Sequence, residues 1–175
     1  MSGMGNDKRL VFIDVETTGL DPRIGHRIIE IGAIAMENNQ IIGEFQSLIQ
    51  VNYSIPRHVS KIHGIINDML TGQPTPEQIY PKVKDFISDS ILVAHNAKFD
   101  IGFLQSEFNR LNQRITNQSI CTLKLSRRRY QHLPNYKLDT VYRHLIGEQP
   151  ADYKRHHALD DARMVAAIWL AMEGK

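Results

Sequence analysis

Two carboxylates one residue apart follow a short apolar run near the start of the chain. Residues 10–13 are apolar, and Asp14 and Glu16 come directly after them. An unbroken apolar run of this length is typical of a central strand that is covered on both faces. Because side chains alternate along a strand, we expect Asp14 and Glu16 on one face, where they repel each other and lose hydration. A divalent cation with oxygen ligands would relieve that repulsion.

Two further acidic residues are directed inward by helical periodicity. Asp100 and Asp161 each lie one turn before apolar residues of their predicted helices, on the stripe that faces the core. For either residue alone, a charge that complements the helix dipole is the alternative. Asp160 fits that alternative better than Asp161, because it is rotated off the stripe.

The repulsion among four inward-facing carboxylates in an apolar surround could be relieved by protonation, by Arg and Lys partners, or by cations. Two divalent ions roughly 3.5–4 Å apart, bridged by such carboxylates, stabilise the attacking and leaving oxygens of an in-line phosphoryl displacement. Ligation by oxygen alone favours Mg²⁺ or Mn²⁺ over Zn²⁺. The attacking water must lose a proton near neutral pH, and His156 and His157 lie just before Asp161, where a histidine base is needed.

The size and composition of the chain set broad limits. Its 175 residues fit one domain, which we predict over residues 9–175 after a flexible N-terminal tail at residues 1–8. The net charge of +2 permits a polyanionic partner without requiring one. A single cysteine, Cys121, excludes an internal disulfide and is typical of a reducing cytosol, so we expect a cytoplasmic protein. The first apolar run is too short for a signal peptide or a membrane helix, and no membrane partner is expected.

The elements that must position the acidic residues come as strands first and helices later. Strands are predicted from residue 10, over 28–36 and over 41–51, and their short links predict an antiparallel meander. A fourth strand at 91–94 leads through a turn into a helix, a layout that gathers sites at the carboxyl ends of strands. Further helices are predicted at 56–62, 67–70, from 76, 122–130, 138–145 and 158–172. This order predicts a mixed α/β domain.

Three motifs make the chain resemble the DEDDh 3′–5′ exonucleases, a family that includes the proofreading epsilon subunit of bacterial replicative DNA polymerase. They are Asp-Val-Glu-Thr-Thr-Gly at 14–19, His-Asn-Ala-Lys-Phe-Asp at 95–100 and His-His-Ala-Leu-Asp-Asp-Ala at 156–162. The motifs occur in the family's order, and the resemblance covers residues 10–174. The spacing within the third motif selects His156 over His157 and Asp161 over Asp160.

The resemblance implies a fold and a set of catalytic roles. The fold would be α/β, with a ribonuclease H-like mixed five-stranded sheet flanked by helices and a fifth strand around residues 119–120. Asp14, Glu16 and Asp161 would hold the metal that carries the nucleophilic water. Asp14 would also bridge to a second metal supported by Asp100, and His156 would deprotonate the water. The cofactors would be two divalent ions, Mg²⁺ or Mn²⁺.

The same resemblance implies a site for the substrate. Thr18, Gly19 and Leu20 would contact the 3′-terminal nucleotide, with Leu20 as an apolar wedge against its base. The residues implied to line the same groove are His63, His95, Asn96 and Phe99. For the two histidines, a buried structural role is the alternative.

The leading hypothesis is a metal-dependent exonuclease that acts on DNA 3′ ends in proofreading or repair. An RNA-trimming or oligoribonucleotide exonuclease would use the same mechanism, and discrimination rests on tolerance of the 2′-hydroxyl. A non-catalytic nucleic-acid-binding module is disfavoured, because none of the five catalytic residues is missing. The sequence stops at Lys175 without the tail through which the replicative subunit binds its polymerase. It therefore fits either a stand-alone exonuclease or a nuclease domain by itself, and polymerase association stays open.

Overall fold

A computed structural model describes residues 8–173 of the chain. The tail predicted over residues 1–8 lies outside the described residues, except for Lys8, which is exposed. Among the helices of residues 8–173, none is both long and apolar enough to cross a lipid bilayer.

Five strands form one mixed sheet in the order β3-β2-β1-β4-β5. The first three are antiparallel neighbours, β4 lies parallel to β1, and β5 lies parallel to β4. The predicted meander and the fifth strand are therefore confirmed. The strands are β1 (Leu10–Thr17), β2 (Ile28–Glu37), β3 (Gln40–Leu48), β4 (Ile91–Ala94) and β5 (Ser119–Cys121).

Seven α-helices surround this sheet in the described part of the chain. The helix at Pro76–Ile87 begins with a capping box, in which the side-chain amide oxygen of Gln78 accepts a hydrogen bond from the backbone N–H of Thr75 at 2.9 Å. A short 3-10 turn at Pro22–Ile24 also interrupts the loop predicted after β1. The helices are α1 (Arg57–His63), α2 (Asn67–Leu70), α3 (Pro76–Ile87), α4 (Ala97–Arg110), α5 (Thr122–Arg129), α6 (Leu138–Leu145) and α7 (Ala158–Glu173).

Alternation along β1 divides its side chains between two cores. Val11, Ile13 and Val15 belong to the core that contains the apolar faces of α3 and α4. Phe12 belongs to the other core, against α7, where its ring centroid lies 6.4 Å from that of Trp169. Each fully buried residue of this size contributes about 1.5–3 kcal/mol. Asp14 and Glu16 share the parity of Phe12, so the parity that buries Phe12 turns both carboxylates to the α7 side.

The start of α7 lies directly on β2, and Gly32 makes this close approach feasible. A methyl group built on Gly32 would lie 2.2 Å from the carbonyl carbon of Ala158 and from the nitrogen of Leu159. Gly32 is the cross-strand partner of Asp14. Two residues earlier on the same face, Glu30 accepts a hydrogen bond from the Ala158 N–H at 3.3 Å. Because Gly32 has no side chain, the start of α7 can lie next to the carboxylates of β1.

We expect Gly32→Ala to lower the free energy of unfolding by about 1–3 kcal/mol. The added methyl group would overlap backbone atoms, which cannot move aside as a flexible side chain can. Urea unfolding in the presence of a chelator would measure this loss. Gly43→Ala on β3 is the matched control, since its new methyl group would meet only Phe86 Cε2, at an ordinary 3.6 Å. Equal stability of the two variants would contradict the proposed close packing of α7 on β2.

Candidate active site

The predicted catalytic residues meet at the carboxyl ends of the parallel strands β1 and β4. Only Leu10 to Phe12 of β1 pair with β4, so Asp14 and Glu16 extend past the end of that pairing. There, α4 begins after β4, with Asp100 in its first turn. The start of α7 supplies Asp161 from the other side of the sheet. Strand ends of this kind are where α/β proteins build their sites.

Three of the five residues form a tight group. Glu16, His156 and Asp161 each offer one ligand atom, and these atoms lie within 4.8 Å of one another. His156 Nδ1 lies 3.9 Å from Glu16 Oε1. Glu16 and Asp161 are 9% and 6% exposed. Burial on this scale leaves little water to stabilise their charges.

Asp14 and Asp100 lie outside this tight group but are coupled to it by charge. Burial raises the pKa of Asp14 well above its ordinary value, and the charges of Asp100 and Asp161 raise it further. Burial also raises the pKa of Asp100 to about 8, against the opposing effect of backbone hydrogen bonds from its own N–H and that of Val15. The effect of the Val15 N–H indicates that Asp100 lies close to β1.

The other two carboxyl groups show the same conflict between burial and charge. Burial raises the pKa of Glu16 to about 9, with added contributions from Asp161 and Glu30. Burial raises the pKa of Asp161 to about 6, although a hydrogen bond from Tyr153 opposes the shift. Within residues 8–173, no Lys or Arg forms a salt bridge with any of these four carboxylates. Oxygen donors with unbalanced negative charge are the donor set that fits a hard divalent cation.

His156 lies at the centre in an unusual backbone conformation. Its φ of 59° is in the left-handed region, which costs a non-glycine residue about 1–2 kcal/mol and is concentrated at functional sites. Burial lowers the pKa of its imidazole, and the charge of Arg155 lowers it further. The ring is therefore neutral near pH 7 and able to accept a proton.

The adjacent residues of the third motif point elsewhere. His157 Nε2 lies 3.5 Å from Glu30 Oε1 and 3.1 Å from Gln46 Nε2, on the β2–β3 side. Asp160 binds Arg163 Nη1 at 2.8 Å and accepts the Lys154 N–H at 3.2 Å. The structure therefore places His156 and Asp161 beside Glu16, whereas His157 and Asp160 contact other groups.

The turn after β1 holds one predicted substrate residue outward and one inward. Thr18 is fully buried, and its Oγ1 accepts the Arg27 N–H at 2.9 Å. A methyl group on Gly19 would lie 2.3 Å from the His26 ring. Leu20 is 84% exposed. Thr18 and Gly19 thus fix the turn against the protein, and Leu20 projects from it.

A groove of about 530 Å³ brings together three of the predicted substrate residues: Leu20, Asn96 and Phe99. Its volume is in the range of small-molecule sites. Asn96, with φ of 85°, forms the sharp turn from β4 into α4, in a conformation that Asn tolerates better than most residues. The groove is completed by Asp21, Pro22, Arg23, Lys98, Gly102 and Phe103.

The two remaining predicted substrate residues are the histidines. His95 has both ring nitrogens in hydrogen-bond distance of protein groups: Nδ1 lies 2.9 Å from Thr122 Oγ1 and Nε2 lies 2.8 Å from the Tyr136 carbonyl. It links the end of β4 to α5 and to the segment before α6. His63 Nδ1 accepts the Ile65 N–H at 3.0 Å. Burial lowers the pKa of His63, and the proximity of His156 lowers it further, so His63 lies on the His156 side of the site.

Two residues of the site were missed by the sequence analysis. Glu30 is 2% exposed, pairs across the sheet with Glu16 and holds the Gln46 amide at 2.9 Å. An isolated acidic residue within an apolar strand is the signal that would have revealed it. The second is Tyr153, whose hydroxyl donates to Asp161 Oδ1 at 2.5 Å. It lies in a polar loop without periodicity, so the sequence carries no signal for its role.

The mixed five-stranded sheet flanked by helices, with an acidic centre at the ends of its central strands, has the ribonuclease H-like fold. Residues 11–169 match the family model described as Exonuclease, and the chain belongs to that family. The chain is therefore a 3′–5′ exonuclease domain.

Several known proteins are similar to this chain. It is 38% identical over 173 residues to the DNA polymerase III subunit epsilon of Rickettsia typhi, which covers 95% of the chain and 74% of the relative. It is 37% identical over 162 residues to the PolC-type DNA polymerase III of Caldanaerobacter subterraneus subsp. tengcongensis, covering 93% of the chain. The chain spans only 11% of the length of that PolC-type relative.

Solved structures share the fold. Exonuclease X in complex with 5′ overhanging duplex DNA is 27% identical, with a TM-score of 0.71 over 94% of this chain and 90% of that one. The nuclease domain of 3′hExo, a DEDDh family member bound to rAMP, is 22% identical, with a TM-score of 0.78 over 95% of this chain and 92% of that one.

We expect the stability of the cation-free protein to fall as the pH rises from about 5 to about 9. Folded Glu16 and Asp100 titrate at about 9 and about 8, whereas unfolded carboxyl groups titrate near ~4. Between these values the folded chain keeps protons that the unfolded chain has lost, so each added pH unit lowers the free energy of unfolding. Thermal unfolding in a chelator would measure the slope.

Glu16→Gln and Asp100→Asn should each flatten this slope and raise the unfolding temperature near pH 8, because a buried amide is neutral at every pH and needs no proton to be buried. Asp160→Asn is the control, since Asp160 already has Arg163 as its partner. A stability that is constant or rises across this pH range would contradict the raised pKa values.

Proposed function

We propose that the protein removes nucleotides one at a time from the 3′ ends of DNA and releases nucleoside 5′-monophosphates. The observation that carries the proposal is a group of four buried carboxylates with which no Lys or Arg of residues 8–173 forms a salt bridge, next to His156, whose Nδ1 lies 3.9 Å from Glu16 Oε1. Membership of the exonuclease family supports the same chemistry. Metal-dependent phosphodiester hydrolysis is the reaction that uses this combination of groups.

The residues present fit two divalent cations. Asp14, Glu16 and Asp161 would hold one of them, and Asp14 would also hold the second, which Asp100 would support directly or through water. When bound, two Mg²⁺ or Mn²⁺ ions would neutralise the charge that develops on the scissile phosphate. The cations would also remove the repulsion that raises the pKa of the buried carboxyl groups.

His156 is the residue that we propose as the general base. Its neutral ring would accept the proton of the attacking water as the water oxygen forms a bond to phosphorus. The bond from phosphorus to the 3′ oxygen of the preceding nucleotide would break, and that oxygen would take a proton from solvent. Glu16, 3.9 Å from His156 Nδ1, would stabilise the imidazolium formed in this step.

The groove beside Leu20 is where we propose that the terminal nucleotide binds. Leu20 and Phe99 offer apolar surfaces to a base, and Asn96 offers an amide at the start of α4. Lys98 supplies a positive charge next to them. These groups would hold the 3′ end without reading its sequence.

DNA is the substrate that we favour because relatives of this chain are named as DNA polymerase III proteins. Exonuclease X was solved with duplex DNA, whereas the 3′hExo domain was solved with rAMP. Proofreading beside a DNA polymerase, or repair, is therefore the role we propose, and RNA trimming is the second candidate.

Neighbouring residues of the third motif provide matched pairs for testing the mechanism. Asp161→Asn should abolish nucleotide release, whereas Asp160→Asn should retain it. His156→Ala should lower turnover by about 10²–10⁴-fold, the usual contribution of a general base. His157→Ala should stay within about tenfold of wild type, because His157 contacts Glu30 and not the catalytic carboxylates.

The assay would follow end-labelled single-stranded DNA with Mg²⁺ or Mn²⁺, and excess chelator should stop the reaction. Undiminished cleavage by the Asp161 variant, or in chelator, would refute metal-dependent catalysis at this site. Near-normal turnover of the His156 variant would refute only its role as the base.

Oligonucleotides of one sequence, made as DNA and as RNA, would identify the substrate. We expect a higher kcat/KM for DNA, since the relatives act in DNA polymerase assemblies by name. Faster hydrolysis of the RNA would favour the RNA-trimming alternative. Tight binding of either strand without cation-stimulated cleavage would favour the non-catalytic module.

A further inference from the structure

We propose that Tyr153 is a positioning residue that orients the carboxylate of Asp161 for cation binding. The phenolic hydroxyl of Tyr153 donates a hydrogen bond to Asp161 Oδ1, with an oxygen–oxygen distance of 2.5 Å. This inference rests on the proposed function, because it concerns the cations that Asp161 would hold. None of the three sequence motifs includes Tyr153.

The contact restricts a rotation that would otherwise be free. The terminal torsion of an aspartate is broad and roughly two-fold, so the side chain alone does not determine where its oxygens point. Tyr153 occupies one lone pair of Oδ1 and leaves the remaining acceptor sites of the carboxylate for a cation. A short O–H···O⁻ bond of this length is of the strong, charge-assisted type. The hydroxyl therefore holds the carboxylate plane in one orientation.

The tyrosine ring is itself anchored. Tyr153 is half-buried and packs against the small core that joins α6 to α7, which contains Val141 and Met164. Its backbone N–H donates to the Pro150 carbonyl at 3.0 Å. A ring held by apolar packing can fix the carboxylate more firmly than a side chain on an exposed loop.

Flanking residues fasten the same loop at two more points. Asp139 of α6 accepts the Gln149 side-chain amide at 3.0 Å and pairs with Arg155 Nε at 3.2 Å. The backbone N–H of Lys154 donates to Asp160 at 3.2 Å. These contacts lie on both sides of Tyr153, so removal of its hydroxyl would leave the loop attached.

This separation of contacts allows a decisive substitution. Tyr153→Phe keeps the ring and its packing and removes only the bond to Asp161. We expect the affinity for Mn²⁺, measured by titration calorimetry without substrate, to fall about 10-fold or more, the usual effect of losing a residue that supports a metal ligand. The Mg²⁺ concentration for half-maximal cleavage should rise by a similar factor, while KM for the oligonucleotide at saturating Mg²⁺ stays unchanged.

Tyr136→Phe is the matched control. The hydroxyl of Tyr136 donates to the Tyr130 carbonyl at 2.7 Å, so this variant also loses one hydroxyl hydrogen bond in a segment between helices. That bond does not involve the carboxylates, and we expect Mn²⁺ affinity within about twofold of wild type. The unfolding midpoints of both cation-free variants would show whether the fold is retained.

The outcomes separate this inference from the proposed function. Wild-type Mn²⁺ affinity in Tyr153→Phe, with or without a lower unfolding midpoint, would overturn the role of Tyr153 and leave the proposed function intact. A wild-type protein that neither binds Mn²⁺ nor cleaves DNA would overturn both. Weaker Mn²⁺ binding in Tyr153→Phe alone, with normal KM, would establish the role.

Discussion

The contact between the start of α7 and strand β2 at Gly32 is the packing interaction on which the site depends. A helix can approach a strand so closely only where the strand has no side chain, and the built methyl group at Gly32 overlaps the α7 backbone at 2.2 Å. Glu30 strengthens the contact by accepting the Ala158 N–H. Because Gly32 faces Asp14 across the sheet, the same contact delivers Asp161 and His156 to the carboxylates of β1.

The buried carboxyl groups lower the stability of the folded protein, but they are the groups that a cation would need as ligands. Each of the four carboxyl groups has a raised pKa, with burial as the largest cause, and no Lys or Arg of the described residues pairs with them. A fold selected for stability alone would neutralise these charges or expose them to water. The protein retains them, and His156 adds a strained backbone at the same place. Conflicts of this kind concentrate at sites where a ligand completes the structure.

Hydrogen bonds from outside the motifs limit how far the motif residues can move. Tyr153 holds Asp161, Glu30 holds the start of α7, and Arg27 holds Thr18. The motifs themselves therefore combine two kinds of residue. Some, such as Asn96 and Phe99, line the groove, whereas Thr18 and His95 are committed to contacts within the protein. Membership of a motif does not by itself distinguish a residue that binds substrate from one that supports the turn.

Most of the architecture followed from the sequence because its causes are local. Strand 91–94 and helices 67–70 and 138–145 have the predicted bounds, since apolar runs and helical periodicity act between near neighbours. The three-residue strand β5 is too short to show a period and came only from the resemblance. The choice of His156 and Asp161 came from motif spacing. Only the tertiary structure decided the partners of Glu30, Tyr153 and His95. Glu30 and Ala158 are 128 residues apart, and no local pattern records which buried groups meet once the sheet and α7 have packed.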